Sequence, residues 1–209
     1  MRKRTTFILA GTLAFGACNP SQLSIGVRLA DRLITKIGDY NSALEAFDRA
    51  IGVATAAAEE PRASNPVNHR KVAEQWERRW GSVHERYGEL RERFDAMTAS
   101  SQRYFQQLDQ IAAQVVDERL KAAEMARNQR IEDEWSQSCA EASQNLARLE
   151  RLLIKGDDLS RVLAMNAIRS DLQVHVGGVR AISRESKQLI AELERLLMSS
   201  SAALQLQTT

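Results

Sequence analysis

The chain has 209 residues, 44 % of them apolar and 27 % charged, which leaves room for one domain with a hydrophobic core. Its formal net charge is +2, but three of the 29 basic side chains (Arg2, Lys3 and Arg4) precede an apolar run at the N-terminus. The rest of the chain contains 26 basic and 27 acidic side chains. The balance beyond that terminus is slightly acidic. It argues against nucleic acid as a partner, because such binding depends on a surplus of cations facing phosphate.

The first seventeen residues have the pattern of a secretory signal peptide. Met1–Arg4 is positively charged, and Thr5–Ala17 is a short apolar stretch that ends in small residues. This stretch is too short for a transmembrane helix, which needs about 20 apolar residues. We therefore predict that residues 1–17 are a leader that is removed on export.

The residues at the end of this leader resemble the lipobox of bacterial lipoproteins. In that motif, matched here by residues 15–18 (Phe-Gly-Ala-Cys), small residues precede a cysteine that is acylated and becomes the first residue of the mature chain. The first position departs from the pattern, since the family prefers Leu, Val or Ile there. Cleavage after Gly16 is the alternative, because Ala14 and Gly16 fit the small-x-small rule, and it would give a soluble periplasmic protein.

The cysteine content favours acylation of Cys18. The only other cysteine is Cys139, and a free thiol at an exposed terminus is a liability in an oxidising compartment. A Cys18–Cys139 disulfide is the alternative. Buried acyl chains contribute about 0.8 kcal/mol per CH₂, and two chains already anchor a protein stably. Resemblance to Gram-negative lipoproteins also implies a sorting rule, in which aspartate after the cysteine retains the protein in the inner membrane. Asn19 stands there, so the resemblance implies the outer membrane, with residues 18–21 as a lipidated tether.

The rest of the chain predicts an all-α fold, an elongated antiparallel bundle of three to four long helices. The first helix covers about residues 22–59, and a loop with Pro61 and Pro66 ends it. The second runs from Pro66 to about Val115, roughly 75 Å at 1.5 Å per residue. Both carry apolar stripes at alternating spacings of three and four, as in a coiled coil. The stripes are Ala30, Leu33, Ile37, Tyr40, Leu44, Phe47, Ile51, Ala54 and Ala58 in the first helix, and Trp76, Trp80, Val83, Tyr87, Leu90, Phe94, Met97, Ser101, Tyr104, Leu108, Ile111 and Val115 in the second.

The boundaries of the later helices are set by weaker signals. The apolar pattern slips between Val115 and Ile131, which either a turn near residues 126–130 or a phase shift in one unbroken helix would explain. Residues 155–158 (Lys-Gly-Asp-Asp) predict a helix end and a new cap. A last helix would follow over residues 158–204, with Met165 and Ile168 at the start of its apolar stripe and a kink or break at Gly177-Gly178.

The predicted layout is one helical-bundle domain over residues 22–204, followed by a disordered tail at 205–209. An apolar stripe as long as that of the second helix needs partner helices of similar length. We expect the first helix to lie on the first half of the second, and the later helices to return along the remainder.

The segment from Val162 to Gln173 (VLAMNAIRSDLQ) resembles a family of helix-rich Gram-negative lipoproteins of about this length, classed as a domain of unknown function. Members carry a hydrophobic stretch that runs into Asn-Ala-x-Ala-Ile-x-x-Leu. Here Asn166, Ala167, Ile168 and Leu172 follow a similar order, with the spacing one residue shorter. The resemblance implies a helical envelope lipoprotein and no particular substrate.

Other residues with chemical potential have structural interpretations that we favour. His175 could bind a metal or sense pH, but it has no second ligand at helical spacing, so we expect a structural histidine. For Cys139, we expect a buried small side chain rather than a reactive thiol. Trp76 and Trp80, four residues apart on the apolar stripe, could bind a ligand, but we expect core packing. No catalytic, cofactor-binding or metal-binding motif is present in the sequence.

These observations predict a protein that is not an enzyme and needs no cofactor. We expect a structural or protein-interaction module of the cell envelope, attached to the membrane by lipid on Cys18 and binding a protein partner or a second copy through its helices. The alternative is a periplasmic carrier or chaperone that holds an apolar ligand or client between the helices.

Overall fold

A computed structural model describes residues 20–59, 69–169 and 176–205 of the chain. They form four helices, α1 (Pro20–Glu59), α2 (His69–Ala112), α3 (Glu118–Arg169) and α4 (Val176–Gln205), and no strand occurs in these three ranges. The predicted all-α bundle is therefore confirmed. Cys18 and His175 lie outside the described residues.

The apolar stripes of the sequence form the core. From Leu33 to Ala54 in α1 and from Trp76 to Met97 in α2, every stripe residue is buried. In α3, the buried apolar residues include Trp135, Ala142, Leu146, Leu149 and Leu153. Ser101, the one polar member of the α2 stripe, is also buried and donates its hydroxyl hydrogen to the carbonyl of Thr98 at 2.8 Å. Burial of these stripes on facing helices holds the bundle together, because isolated helices have little stability of their own in water.

The helices are antiparallel neighbours in a closed ring, in which α1 packs on α2, α2 on α3, α3 on α4 and α4 on α1. The rings of Tyr40 and Phe94 are 5.8 Å apart, and the hydroxyl of Tyr87 donates to the carbonyl of Leu146 at 2.8 Å. On the third interface, Lys155 pairs with Glu185 at 2.7 Å. With 52 residues, α3 is about 78 Å long, so the bundle is elongated.

The predicted layout of α1 is wrong. It runs along nearly the whole of α2 and not only its first half, since a Cβ added at Gly26 would lie 3.4 Å from the Cδ1 atom of Ile111, near the end of α2. The reason lies in the matching lengths of 40 and 44 residues. Two apolar stripes of nearly equal length bury most area when they pair from end to end.

The turn between α2 and α3 lies at residues 113–117, and α3 passes unbroken through residues 126–130. Both explanations of the slip in the apolar pattern are therefore wrong, because residues 126–130 form no turn and α2 does not continue unbroken into α3. Asp117 caps α3, because its Oδ1 atom accepts the backbone N–H groups of Arg119 and Leu120, both at 2.9 Å. Before it, Val115 donates its backbone N–H to the carbonyl of Ala112 at 3.1 Å. A cap made by aspartate needs neither glycine nor proline, which is why the turn was missed.

The helix boundary predicted at residues 155–158 is also wrong, since α3 continues to Arg169 and α4 starts at Val176. Met165 and Ile168 therefore belong to α3, where they are exposed, while Leu159 and Leu163 take the buried positions. The sequence also predicts a kink or break at Gly177-Gly178, but both glycines lie within the first turn of α4. What resembled a helix end at Gly156 is a contact between helices.

Gly156 provides the space that Trp80 occupies. A Cβ atom at residue 156 would overlap the six-membered ring of the Trp80 indole, which is almost fully buried. Glycine inside a helix lowers stability by about 1 kcal/mol relative to alanine. Here that loss is offset by the close approach of α2 and α3.

We expect Gly156→Ala to lower the free energy of unfolding by about 1–3 kcal/mol, because the added methyl group must displace a buried indole. Gly88→Ala is the matched control, since a Cβ at Gly88 meets nothing within 4 Å on the exposed face of α2. That variant should be more stable by up to about 1 kcal/mol. Urea unfolding followed by circular dichroism measures both. Equal changes in the two variants would contradict the proposed role of Gly156.

Candidate functional site

A group of polar and aromatic side chains connects α2 to α3, and we name it the tryptophan clamp: Trp76, Trp80, Gly156, Asp157 and Ser160. The two indoles are stacked with their ring centroids 4.9 Å apart and their planes at 11°. Trp76 donates its Nε1 hydrogen to the hydroxyl of Ser160 at 2.9 Å, and Trp80 donates to the Oδ1 atom of Asp157 at 3.1 Å. The prediction that both tryptophans belong to the core is confirmed.

His84 extends the clamp to the surface. Its Nε2 atom is 2.7 Å from the Oδ1 atom of Asp157, and its ring meets that of Trp80 edge to face, with centroids 6.3 Å apart. A histidine beside a carboxylate resembles part of a catalytic group. The nearby hydroxyl of Ser160, however, donates to the carbonyl of Gly156 at 3.0 Å and accepts from Trp76. The hydrogen bond from Trp76 connects α2 to α3, and both hydrogen bonds use the Ser160 hydroxyl.

A second candidate is a small cavity of about 20 Å³ near the middle of the bundle, to which all four helices contribute side chains. Its lining residues are Tyr40, Phe94, Met97, Trp135, Ser138, Cys139, Ala142, Leu193, Leu196 and Leu197. Tyr40 and Trp135 are only 1 % and 4 % exposed, and within the described part of the chain neither the Tyr40 hydroxyl nor the Trp135 Nε1 atom has a hydrogen-bond partner. Buried polar groups without partners are rare in folded proteins, because desolvation is costly.

This cavity has the dimensions of one water molecule, which needs about 10–15 Å³ of such volume. Ligand pockets are larger, at about 300–1,000 Å³. Both side chains line this one small cavity, where an ordered water can replace a direct hydrogen bond. We therefore interpret it as a hydration site that joins α1 to α3.

Cys139 shares this cavity. Burial raises the pKa of its thiol to about 11, although a hydrogen bond with Thr98 acts in the opposite direction. Burial, and to a smaller extent the charge of a Cys139 thiolate, also raises the pKa of Tyr40. A thiol with a raised pKa is a poor nucleophile near neutral pH. The geometry agrees with the expectation of an unreactive, largely buried side chain.

Larger cavities lie at the surface of the bundle. One of about 410 Å³ lies between α3 and α4, beside the ion pairs Lys155–Glu185 and Arg148–Glu192. Another, of about 90 Å³, is mostly apolar and lies where the end of α4 meets α1, with Ile34, Tyr104 and Leu204 among its lining residues. Of the residues with a described structure, no three His, Cys, Asp or Glu side chains are grouped to hold a metal ion. The helices within that part also include none that is long and apolar enough to cross a membrane.

Several apolar side chains are exposed at one end of the bundle. Because α1 and α2 are antiparallel, the first residues of α1 lie at the same end as the α2–α3 turn, as the approach of Gly26 to Ile111 shows. We call this the N-terminal end. Val116, in the turn, is 92 % exposed, and Leu120, in the first turn of α3, is 54 % exposed. Ile25 and Val27 in α1 are also exposed there.

The chain matches no family model, no curated protein and no solved structure. The resemblance of residues 162–173 to the helix-rich lipoproteins therefore stays a prediction. In the structure, Asn166 to Ile168 lie in the last turns of α3, and Ile168 is exposed.

The hydration site predicts the sign of a stability change. We expect Tyr40→Phe to lower the free energy of unfolding by about 1 kcal/mol, because it removes a hydrogen bond to a bound water. Tyr87→Phe is the control, since the Tyr87 hydroxyl has a direct partner, the carbonyl of Leu146 at 2.8 Å. It should lose a similar amount in urea unfolding. If Tyr40→Phe instead stabilises the protein while Tyr87→Phe destabilises it, the Tyr40 hydroxyl has no partner and the hydration site is wrong.

The raised pKa values predict that stability falls at alkaline pH. From its ordinary value of 9.0 up to about 11, the Cys139 thiol stays protonated in the folded chain and is deprotonated in the unfolded chain. Tyr40 acts in the same direction above its ordinary pKa of 10.0. The folded state binds more protons in this range, so its stability is complete below pH 9 and decreases as the pH rises.

Urea midpoints measured from pH 7 to pH 11 test this effect. The midpoint should be lower at pH 11 than at pH 9, and Cys139→Ala should make the decrease smaller. An unchanged slope in Cys139→Ala would show that other groups cause the alkaline loss of stability.

Proposed function

We propose that this chain is a lipid-anchored protein of the Gram-negative envelope, attached through Cys18 to the periplasmic face of the outer membrane. Its helical bundle would serve as a structural or protein-interaction module. The observation that carries the anchor is the order of the first residues: three cations, an apolar stretch, and small residues followed by cysteine. Helix α1 begins at Pro20, two residues after Cys18.

The closed packing of the bundle supports a binding surface over an internal carrier site. The cavity at the centre of the bundle is about 20 Å³ and the apolar pocket beside α4 about 90 Å³. Both are far below the several hundred Å³ that an apolar ligand the size of a drug or lipid requires. The 410 Å³ groove between α3 and α4 is bordered by ion pairs, so its character is polar.

The long exposed faces of the helices support a structural or protein-interaction role. Helix α3 alone extends over about 78 Å and carries exposed apolar side chains at Met125, Ile154 and Ile168. Proteins commonly bind a partner helix, or a second copy of themselves, along such faces. The proposal assigns no enzymatic step to this chain.

Replacement of the anchoring cysteine tests the proposal. We expect Cys18→Ser to release the protein from the membrane fraction or to stop removal of residues 1–17, because acylation supplies the membrane affinity. Fractionation of cell envelopes and intact-mass measurement report both effects. Cys139→Ser, which removes the other cysteine of the chain, is the control and should leave fractionation unchanged. If Cys18→Ser remains in the membrane fraction and is processed normally, the lipid anchor is excluded.

A further inference from the structure

Lipid on Cys18 would place one particular end of the bundle against the bilayer. Only Asn19 separates Cys18 from the first residue of α1, so the anchor has almost no free length. Six residues of α1 lead from Pro20 to Gly26, a rise of about 9 Å, and Gly26 lies level with Ile111. On α2, the turn at residues 113–117 begins only two residues beyond Ile111. Along the bundle axis, the start of α1 and the first residue of the α2–α3 turn therefore lie within about 6 Å of each other.

Exposed apolar side chains in and next to this turn are suited to contact with lipid. Val116, in the turn, is 92 % exposed, and Leu120, in the first turn of α3, is 54 % exposed. Their charged neighbours are Asp117, Glu118, Arg119 and Lys121, two acidic and two basic, so no net charge opposes approach to an anionic membrane. On α1, at the same end, Ile25 and Val27 are exposed and Arg28, Asp31 and Arg32 follow them.

We propose that Val116 and Leu120 form a membrane-contacting tip, which rests against the phospholipid of the same leaflet that holds the anchor on Cys18. The inference depends on the proposed lipid anchor and adds a second point of contact to it. A single flexible attachment would let the rod pivot freely about Cys18. Contact at a second helix hairpin limits that motion and fixes which end of the bundle faces the bilayer.

The chain offers two pairs of positions matched in chemistry and exposure for the experiment. Val116 is paired with Ile168, which is 85 % exposed in the last turn of α3 at the other end of the bundle. Leu120 at 54 % is paired with Ile154 at 56 %, on the same helix and about 51 Å away. A photo-reactive diazirine amino acid would replace one of these residues at a time in the full chain, and the processed protein would be reconstituted into vesicles of phosphatidylethanolamine and phosphatidylglycerol. Circular dichroism checks that each variant keeps its helix content.

We expect phospholipid adducts at residues 116 and 120 to exceed those at 168 and 154 at least fivefold after irradiation, as counted by mass spectrometry. The same spectra report whether Cys18 is acylated. Adducts that are equal at both ends, or absent at residue 116, in acylated protein would overturn the tip and leave the anchor in place. Adducts at residue 116 to a second copy of the chain would assign this surface to self-association instead. An unmodified Cys18 would overturn the anchor and the tip together.

Discussion

The structure depends on one constraint, which is that every long apolar stripe must be covered along its whole length. The stripes of α1 and α2 repeat without interruption from Leu33 to Ala54 and from Trp76 to Met97. Four antiparallel helices of 40, 44, 52 and 30 residues meet this requirement, because each helix packs its apolar stripe against two neighbouring helices. Among the residues that the structure describes, the cavity lined by all four helices has a volume of only about 20 Å³. The larger cavities of this part of the chain lie at the outer surface of the bundle.

The fold class and the first two helices follow from periodicity, because the spacing of apolar residues is a local property of the chain. The later boundaries do not follow, and the reason is visible at Gly156 and Asp157. In the sequence, glycine followed by aspartate is typical of a helix end. In the structure, the glycine makes room for Trp80 and the aspartate accepts hydrogen bonds from Trp80 and His84. These partners are more than 70 residues away. A contact across that separation leaves no local pattern in the sequence, and the local pattern at Gly156 indicates a helix end instead.

The internal polar site shows the same limit in another form. Tyr40 and Trp135 are ordinary aromatic residues on the buried faces of α1 and α3, and nothing in the sequence around either residue indicates that both side chains line a common cavity. That meeting depends on the vertical register of α1 against α3, which are not consecutive in the chain. The structure sets this register through contacts with α2, where Tyr40 packs on Phe94 and Tyr87 donates to Leu146. A shift of one helical turn in either pair would separate the two groups and leave each buried alone, at a greater cost in free energy. A water shared by Tyr40 and Trp135 would therefore disfavour alternative registers that apolar packing alone would tolerate.

An even number of antiparallel helices has a further consequence for an anchored chain. The starts of α1 and α3 lie at the N-terminal end, while the end of α1, the start of α2 and the end of α3 lie at the other end. Helix α4 is shorter, since its Leu204 lines a pocket with Ile34 of α1 and its Gly178 lies beside Leu159 of α3. If lipid on Cys18 holds the first end at a bilayer, the 52 residues of α3 place the second end about 78 Å away when the bundle stands upright. Exposed Ile168 and Met165 lie there, beyond the reach of the membrane. In that arrangement, the exposed apolar side chains at the N-terminal end would contact lipid, and those at the other end would be accessible to a protein.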